Sequence, residues 1–235
     1  MLRNLLFGAV AAVGALTLAS SAGASTVLIT GDHLSSYNYT TVLGGTVDGH
    51  AFGGLNVYES PDILTVSIDG GPPQQLLAFC VDIFHFFDPA HTPPVNYYTS
   101  SLVKNSDAPL SGDGVVLGSL LSGELGYLAE LGKTTTNQAR LAGIQGAIWQ
   151  TEYSGLTLSG GSPYVAEYAG LATAWGAGHA GYTGHGDAIY ALDGRTQGFT
   201  TGGVPEPASW ALMLMGFGGL GAMLRRRRQA GAATA

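Results

Sequence analysis

The chain has 235 residues and a formal charge of −7, with 11% charged against 46% hydrophobic residues. Five of its nine basic residues lie at Arg3, Arg225, Arg226, Arg227 and Arg228, so residues 25–203 hold four basic side chains (Lys104, Lys133, Arg140, Arg195) against fifteen acidic ones, a formal −11. That balance excludes nucleic acid as a partner, because phosphate binding needs clustered Lys and Arg, and the 37 glycines with abundant Ser and Thr describe a β-rich extracellular domain better than a cytoplasmic enzyme.

At the amino end, Arg3 precedes an apolar stretch over 5–18, and Ala22-Gly23-Ala24 supplies the small residues that signal peptidase needs. Residues 1–24 are therefore expected to be a cleaved signal peptide, leaving 25–203 as one exported domain with room for a core. Short β-branched or aromatic runs separated by Gly, Asp or Pro predict strands at 27–30, 37–43, 55–58 and 63–68. In the last of these, Leu64, Val66 and Ile68 alternate with Thr65 and Ser67 as a half-buried strand requires. Residues 69–73, Asp-Gly-Gly-Pro-Pro, must turn the chain. The apolar run 75–87 then reads as a central strand buried on both faces, with Cys80 in its middle.

Beyond Pro93-Pro94 the periodicity becomes helical. Asp113 is placed to cap a helix carrying Leu117, Leu121, Leu125, Leu128 and Leu131 and ending near Gly132-Lys133. A second helix follows Asn137 and runs to about Tyr153; Leu141, Ile144 and Ile148 form its core stripe, and Gln145 and Trp149 share the adjacent one. A third is expected with Ser162 as cap, Pro163 at its first position and a stripe of Tyr164, Tyr168, Leu171 and Trp175. Strands at 188–192 and 195–200 complete an α+β domain, β-rich with a helical insertion.

The carboxyl end has three parts: Val204-Pro205-Glu206-Pro207, an uncharged run over 208–224, and the four arginines 225–228, followed by a short tail at 229–235. Seventeen residues at about 1.5 Å each are just enough for a transmembrane span, and the arginines hold its far end in the cytoplasm, leaving the preceding domain outside. Pro205, Glu206 and Pro207, a short apolar span and an arginine cluster, in that order, resemble the PEP-CTERM sorting signal of Gram-negative bacteria. The resemblance implies recognition and cleavage by an exosortase. The inner membrane is then a transient station on the way to the cell surface or the extracellular matrix.

Cys80 is the only cysteine. In an exported chain it is a buried inert thiol, half of an intermolecular disulfide, or a residue consumed by another covalent bond. Two segments bear on the choice. Phe79-Cys80-Val81-Asp82 and Ile144-Gln145-Gly146-Ala147-Ile148-Trp149 resemble the paired motifs of bacterial thioester domains, adhesin modules in which a cysteine and a glutamine join side chains. The resemblance implies a Cys80–Gln145 thioester. Thiolate attack on the Gln145 carboxamide would expel ammonia and store an electrophile for an amine or hydroxyl on a surface ligand or exopolysaccharide. A water-poor wall is then expected from Phe79, Trp149 and Tyr153. For proton transfer, Asp82, His85 and Glu152 are near in sequence.

Other constellations carry less. His85, Asp88 and His91 lack a familiar metal-ligand spacing. His179, His185 and Asp187 sit among glycines, and Gly112-Asp113-Gly114 lacks the further oxygen ligands of a calcium loop. No metal, cofactor or catalytic set is expected, and a non-enzymatic surface or matrix protein is the leading expectation. A passive component of an exopolysaccharide matrix and a secreted hydrolase are the alternatives.

Overall fold

The structure, a computed structural model, describes residues 25–47, 49–84, 98–104, 119–179, 186–191 and 197–202. Six antiparallel strands close into a barrel in the order β1 (Ser25–Leu34), β4 (Asp62–Ile68), β5 (Gln74–Cys80), β9 (Phe199–Thr201), β8 (Asp187–Ala191), β6 (Tyr98–Lys104). A separate three-stranded sheet runs β3 (His50–Tyr58), β2 (Thr40–Val47), β7 (Leu156–Gly160). Three helices, α1 (Ser119–Lys133), α2 (Gln138–Glu152) and α3 (Val165–Gly178), pack against one another, and α1 and α2 against the barrel wall. The expected α+β, β-rich architecture with a helical insertion is what forms.

Strand alternation divides the core in two. Along β5, Ala78 and Cys80 join Val27, Ile29, Leu64, Val66 and Phe199 on one side, while Phe79 points the other way into a helical core with Leu125, Leu128, Leu141, Ile144 and Ile148. β5 is thus buried on both faces where it matters, but it is shorter than expected. Val81 N–H still reaches Gly198 O at 3.0 Å, in register with β9, and the pairing then ends at an Asx turn in which the Asp82 carboxylate accepts Phe84 N–H at 2.8 Å. Strand β4 alternates as read, and Asp69 (φ 49) and Gly70 (φ 74) make the turn that follows.

Helix α2 begins where its sequence says. The Asn137 side chain accepts Arg140 N–H at 3.1 Å. Its nine residues from Leu141 to Trp149 are all buried, so the helix is enclosed rather than amphipathic. Helix α3 departs from expectation. It begins at Val165, with no side-chain cap from Tyr164, while Ser162 accepts Tyr164 N–H at 3.1 Å as expected of a cap and donates its hydroxyl to Ala139 O of α2 at 2.5 Å. Its buried stripe is Tyr168, Ala172 and Gly176, the last two small enough to admit close helix contact, and Leu171 is exposed instead. Strands β6 and β7 were not expected. The cap position Asp113, residues 1–24 and the span 208–224 lie outside the described residues, among which no helix is long and apolar enough to cross a membrane.

Beneath α2 sits a fully buried carboxylate. Glu59 accepts Ser162 N–H at 2.9 Å, and only glycine fits around it: a Cβ on Gly146 or Gly161 would land on its carboxylate oxygens. Burial pushes Glu59 up from 4.5 to about 7, with the Ser162 hydrogen bond pulling the other way. Gly161→Ala also forces a side chain onto φ 79, so it is expected to lose about 2 kcal/mol or more. Gly170→Ala meets nothing within 4 Å on exposed α3 and is expected to gain about 0.5–1 kcal/mol; urea midpoints moving in the same direction would contradict this account. Between 4.5 and about 7 folded Glu59 keeps a proton that the unfolded chain has lost. Its stabilisation is therefore complete below the unfolded value and is lost as pH rises through the folded one. Thermal melts of Glu59→Gln across that range should show a shallower fall with pH than the parent.

Candidate functional site

Cys80 and Gln145, 65 residues apart in sequence, meet at the seam between barrel and helices. The Cys80 N–H donates to Gln145 Oε1 at 3.0 Å, and Gln145 Nε2 donates to Cys80 O at 2.8 Å. A flipped amide would set donor against donor and acceptor against acceptor, so the pair of bonds fixes the orientation of the carboxamide. Gln145 is fully buried and Cys80 is 6% exposed. Placement follows from the elements. Cys80 ends β5, whose alternation sends its side chain away from the helical core, and Gln145 sits one turn before Trp149 on the α2 face that meets that strand end.

The sulfur has its own partner. Cys80 Sγ donates to Asp62 Oδ2 at 3.3 Å, and Asp62, the first residue of β4, is 4% exposed. Burial, reinforced by the Asp62 and Asp82 carboxylates, holds the thiol well above its ordinary value and therefore protonated at neutral pH. Burial likewise pushes Asp62 from 3.8 up to about 7; the thiol hydrogen bond opposes this and the charge of Asp32 adds to it. Asp32 is also raised, by burial against the opposing influence of His33.

These groups open on a cavity of about 400 Å³. β1 contributes Asp32, His33 and Leu34, β3 contributes Asn56, Val57 and Tyr58, and Asp62, Cys80, Ile83 and Trp149 complete its inner wall. Tyr37 and Tyr58, 63% and 48% exposed, meet edge to face at 5.2 Å beside it. Two buried polar atoms of the lining, Asp32 Oδ1 and Trp149 Nε1, have no hydrogen-bond partner among the described residues. Chemically, the cavity gives a partner group access to a thiol whose own peptide N–H already holds a carboxamide oxygen. A negative charge developing on that oxygen during attack at the amide carbon would meet a hydrogen bond in place.

Of the residues expected around the sulfur, Trp149 lines the cavity and Tyr153 packs in the same core, its hydroxyl on Val81 O at 2.8 Å. Phe79 does not share that wall. One residue before Cys80, it faces the opposite side, where a Cβ on Gly132 would meet its ring. Asp82 is buried but uses its carboxylate on Phe84 N–H, and the contact to sulfur belongs to Asp62. Asp62 was legible in principle: it is in phase with Leu64 and Val66, which puts a carboxylate on the inward face of a strand. Among the described residues no three His, Cys, Asp or Glu side chains group as metal ligands. His179 stacks on Trp175 at 4.3 Å, and Asp187 is a buried barrel residue. His85, Asp88, His91, Gly112-Asp113-Gly114 and His185 lie outside the described residues.

Comparison with known proteins adds two findings. The N-terminal thioester domain of the fibronectin-binding protein SfbI from Streptococcus pyogenes is similar over 72% of this chain and 97% of its own, at 12% identity and a TM-score of 0.35. The N-terminal domain of the pilus tip adhesin Cpa, also from Streptococcus pyogenes, is similar over 75% and 100%, at 13% identity and a TM-score of 0.37. Likenesses at this level carry no argument about this chain. No curated protein matches the chain. At the carboxyl end, residues 203–228 match the PEP-CTERM protein-sorting motif, which marks a protein exported and sorted to the surface of Gram-negative cells through an exosortase-type enzyme.

Proposed function

We propose that the chain is an exported, non-enzymatic surface or matrix protein that attaches covalently to a partner through an internal Cys80–Gln145 thioester. One observation carries the reading: the buried Gln145 carboxamide is hydrogen-bonded at both ends to the Cys80 peptide, while the sulfur faces a cavity. In the first step the sulfur bonds to the amide carbon, the carbon–nitrogen bond breaks, and the thiol proton leaves on ammonia. In the second, an amine or hydroxyl entering the cavity attacks the same carbon and the sulfur departs as a thiol. The product is a covalent amide or ester to the partner. The site does not turn over.

The delivery reading is that residues 1–24 are removed by signal peptidase, 25–203 is the working domain, and the 208–224 span holds the chain in the inner membrane until the sorting enzyme acts. The acidic domain then stands at the cell surface or in exopolysaccharide. A passive matrix protein is the second reading. It is favoured by the fact that the thiol and the carboxamide already have hydrogen-bond partners, as a structural clasp would require.

Intact mass separates the two readings. The mature protein should weigh one ammonia less than the mass calculated from its sequence, the deficit should vanish in Cys80→Ala, and methylamine should convert it into a stable adduct. An undiminished mass with a titratable thiol would leave the clasp. Replacing Pro205, Glu206 and Pro207 by alanine should hold the protein in the inner membrane; fractionation finding it still released would remove the sorting step.

A further inference from the structure

Asp62 has no structural task that explains it. A buried carboxylate costs stability unless it is paired, and the ion pairs of Lys133 with Glu130 and Arg140 with Glu167 lie elsewhere. Its hydrogen-bond partner is the Cys80 thiol. The backbone also arranges a second carboxylate beside it. β1 pairs Val27 and Ile29 with Ile68 and Val66, then slips by one residue between Ile29 and Gly31, so that Asp32 pairs Leu64 and Leu34 pairs Asp62. Without that bulge Gly31 and His33 would take the inward phase. With it, Asp32 lies diagonal to Asp62 on the face shared with Leu64, and both carboxylates line the cavity that holds the sulfur.

We propose that Asp62 is the acid–base residue of thioester formation, taking the proton from Cys80 Sγ and returning it to the departing nitrogen of Gln145, with Asp32 as a positioning residue that tunes it. The inference rests on the Cys80–Gln145 reading and adds to it the group that moves the proton. As sulfur bonds to the amide carbon, the thiol proton passes to the Asp62 carboxylate. The amide oxygen, held by Cys80 N–H, carries the charge of the tetrahedral stage. When the carbon–nitrogen bond breaks, Asp62 gives the proton to nitrogen, ammonia leaves and the carboxylate is restored. No oxidant, reductant or metal enters the balance.

The protonation states suit this role. The thiol is held protonated, so it needs a base, and Asp62 at about 7 is half ionised near neutral pH. The titratable groups facing this spot are Asp32 and His33 from β1, Cys80 from β5, and Tyr37 and Tyr58 around the cavity; Asp82 acts on the thiol from beyond β5. From α2 the neighbours are Gln145 and Trp149, which do not titrate.

The test uses the full chain in detergent. Ammonium at alkaline pH opens the bond and restores Gln145 and the free thiol; after the ammonium is removed, reclosure is followed as loss of one ammonia by mass spectrometry. Reclosure should accelerate about tenfold per pH unit up to about 7 and level above it. Asp62→Asn should reclose at least ~100-fold more slowly while keeping the parent circular dichroism, and Asp62→Glu should recover part of the rate. Asp32→Asn removes a like charge and should move the midpoint to lower pH. A folded Asp62→Asn that recloses at the parent rate overturns the proposal and spares the thioester. If that variant does not fold, an unmoved midpoint in Asp32→Asn overturns it instead. A parent chain that never loses ammonia removes the proposal together with the reading beneath it.

Discussion

The two hydrogen bonds between the Gln145 carboxamide and the Cys80 peptide join the barrel to the helical layer. Cys80 is the last residue of β5, where the ladder ends and its backbone polar groups would otherwise face apolar side chains. Gln145 supplies one acceptor and one donor at that point, which lets an enclosed helix lie directly on the strand end. Removing the amide would leave buried groups unpaired, at about 1–3 kcal/mol for each. The contact that would form a thioester is therefore also one on which the packing depends. Stability and chemistry select the same residue.

A second constraint is electrostatic. The domain buries Glu59, Asp62, Asp82 and Asp187, and burial pushes Glu59 and Asp62 toward neutrality. Glu59 is enclosed by Gly146, Gly161 and Ser162, one residue along α2 from Gln145, so the helix turn carrying the amide rests on a carboxyl group. Asp62 touches the sulfur on the other side of the same contact. Both acids lie close to α2, Glu59 under Gly146 and Asp62 on the Cys80 thiol that Gln145 adjoins, where apolar residues would be easier to bury. One of them has a structural account in the Ser162 hydrogen bond. The other is accounted for by the thiol.

Much of this was legible in the sequence, and the misses have physical causes. The alternation of Leu64 and Val66, the start of α2 after Asn137 and the shared stripe of Gln145 and Trp149 are local signals, and the structure keeps them. β6 and β7 were missed because their partners are distant: β7 pairs with β2 more than a hundred residues away, and short polar strands gain order only from such pairing. Ser162 accepts Tyr164 N–H as its cap chemistry predicts, but its second bond, to Ala139 O, depends on how α2 packs, which no local pattern reveals. Phe79 leaves the expected wall around the sulfur because the strand's two-residue period sends neighbouring side chains to opposite faces. Asp32 was beyond reach, since its inward phase depends on a bulge defined by pairing with β4.

A stored electrophile must meet two opposed demands: water has to be kept from the carbonyl until a partner arrives, yet the partner must be able to reach it. The geometry divides these demands between the two residues. The amide side is sealed inside α2 at zero exposure, with its oxygen on the Cys80 N–H, and the sulfur side opens on the cavity flanked by Tyr37 and Tyr58. Attack would come from the cavity, past largely apolar walls that admit an aliphatic stem and disfavour bulk water. At the inner end lie Asp32 and Asp62, hydrogen-bond acceptors for an N–H or O–H that must lose its proton as it attacks. The same carboxylates that suit bond formation therefore suit bond transfer, and a domain with a formal charge of −11 would recruit cationic amines more readily than neutral hydroxyls at low salt.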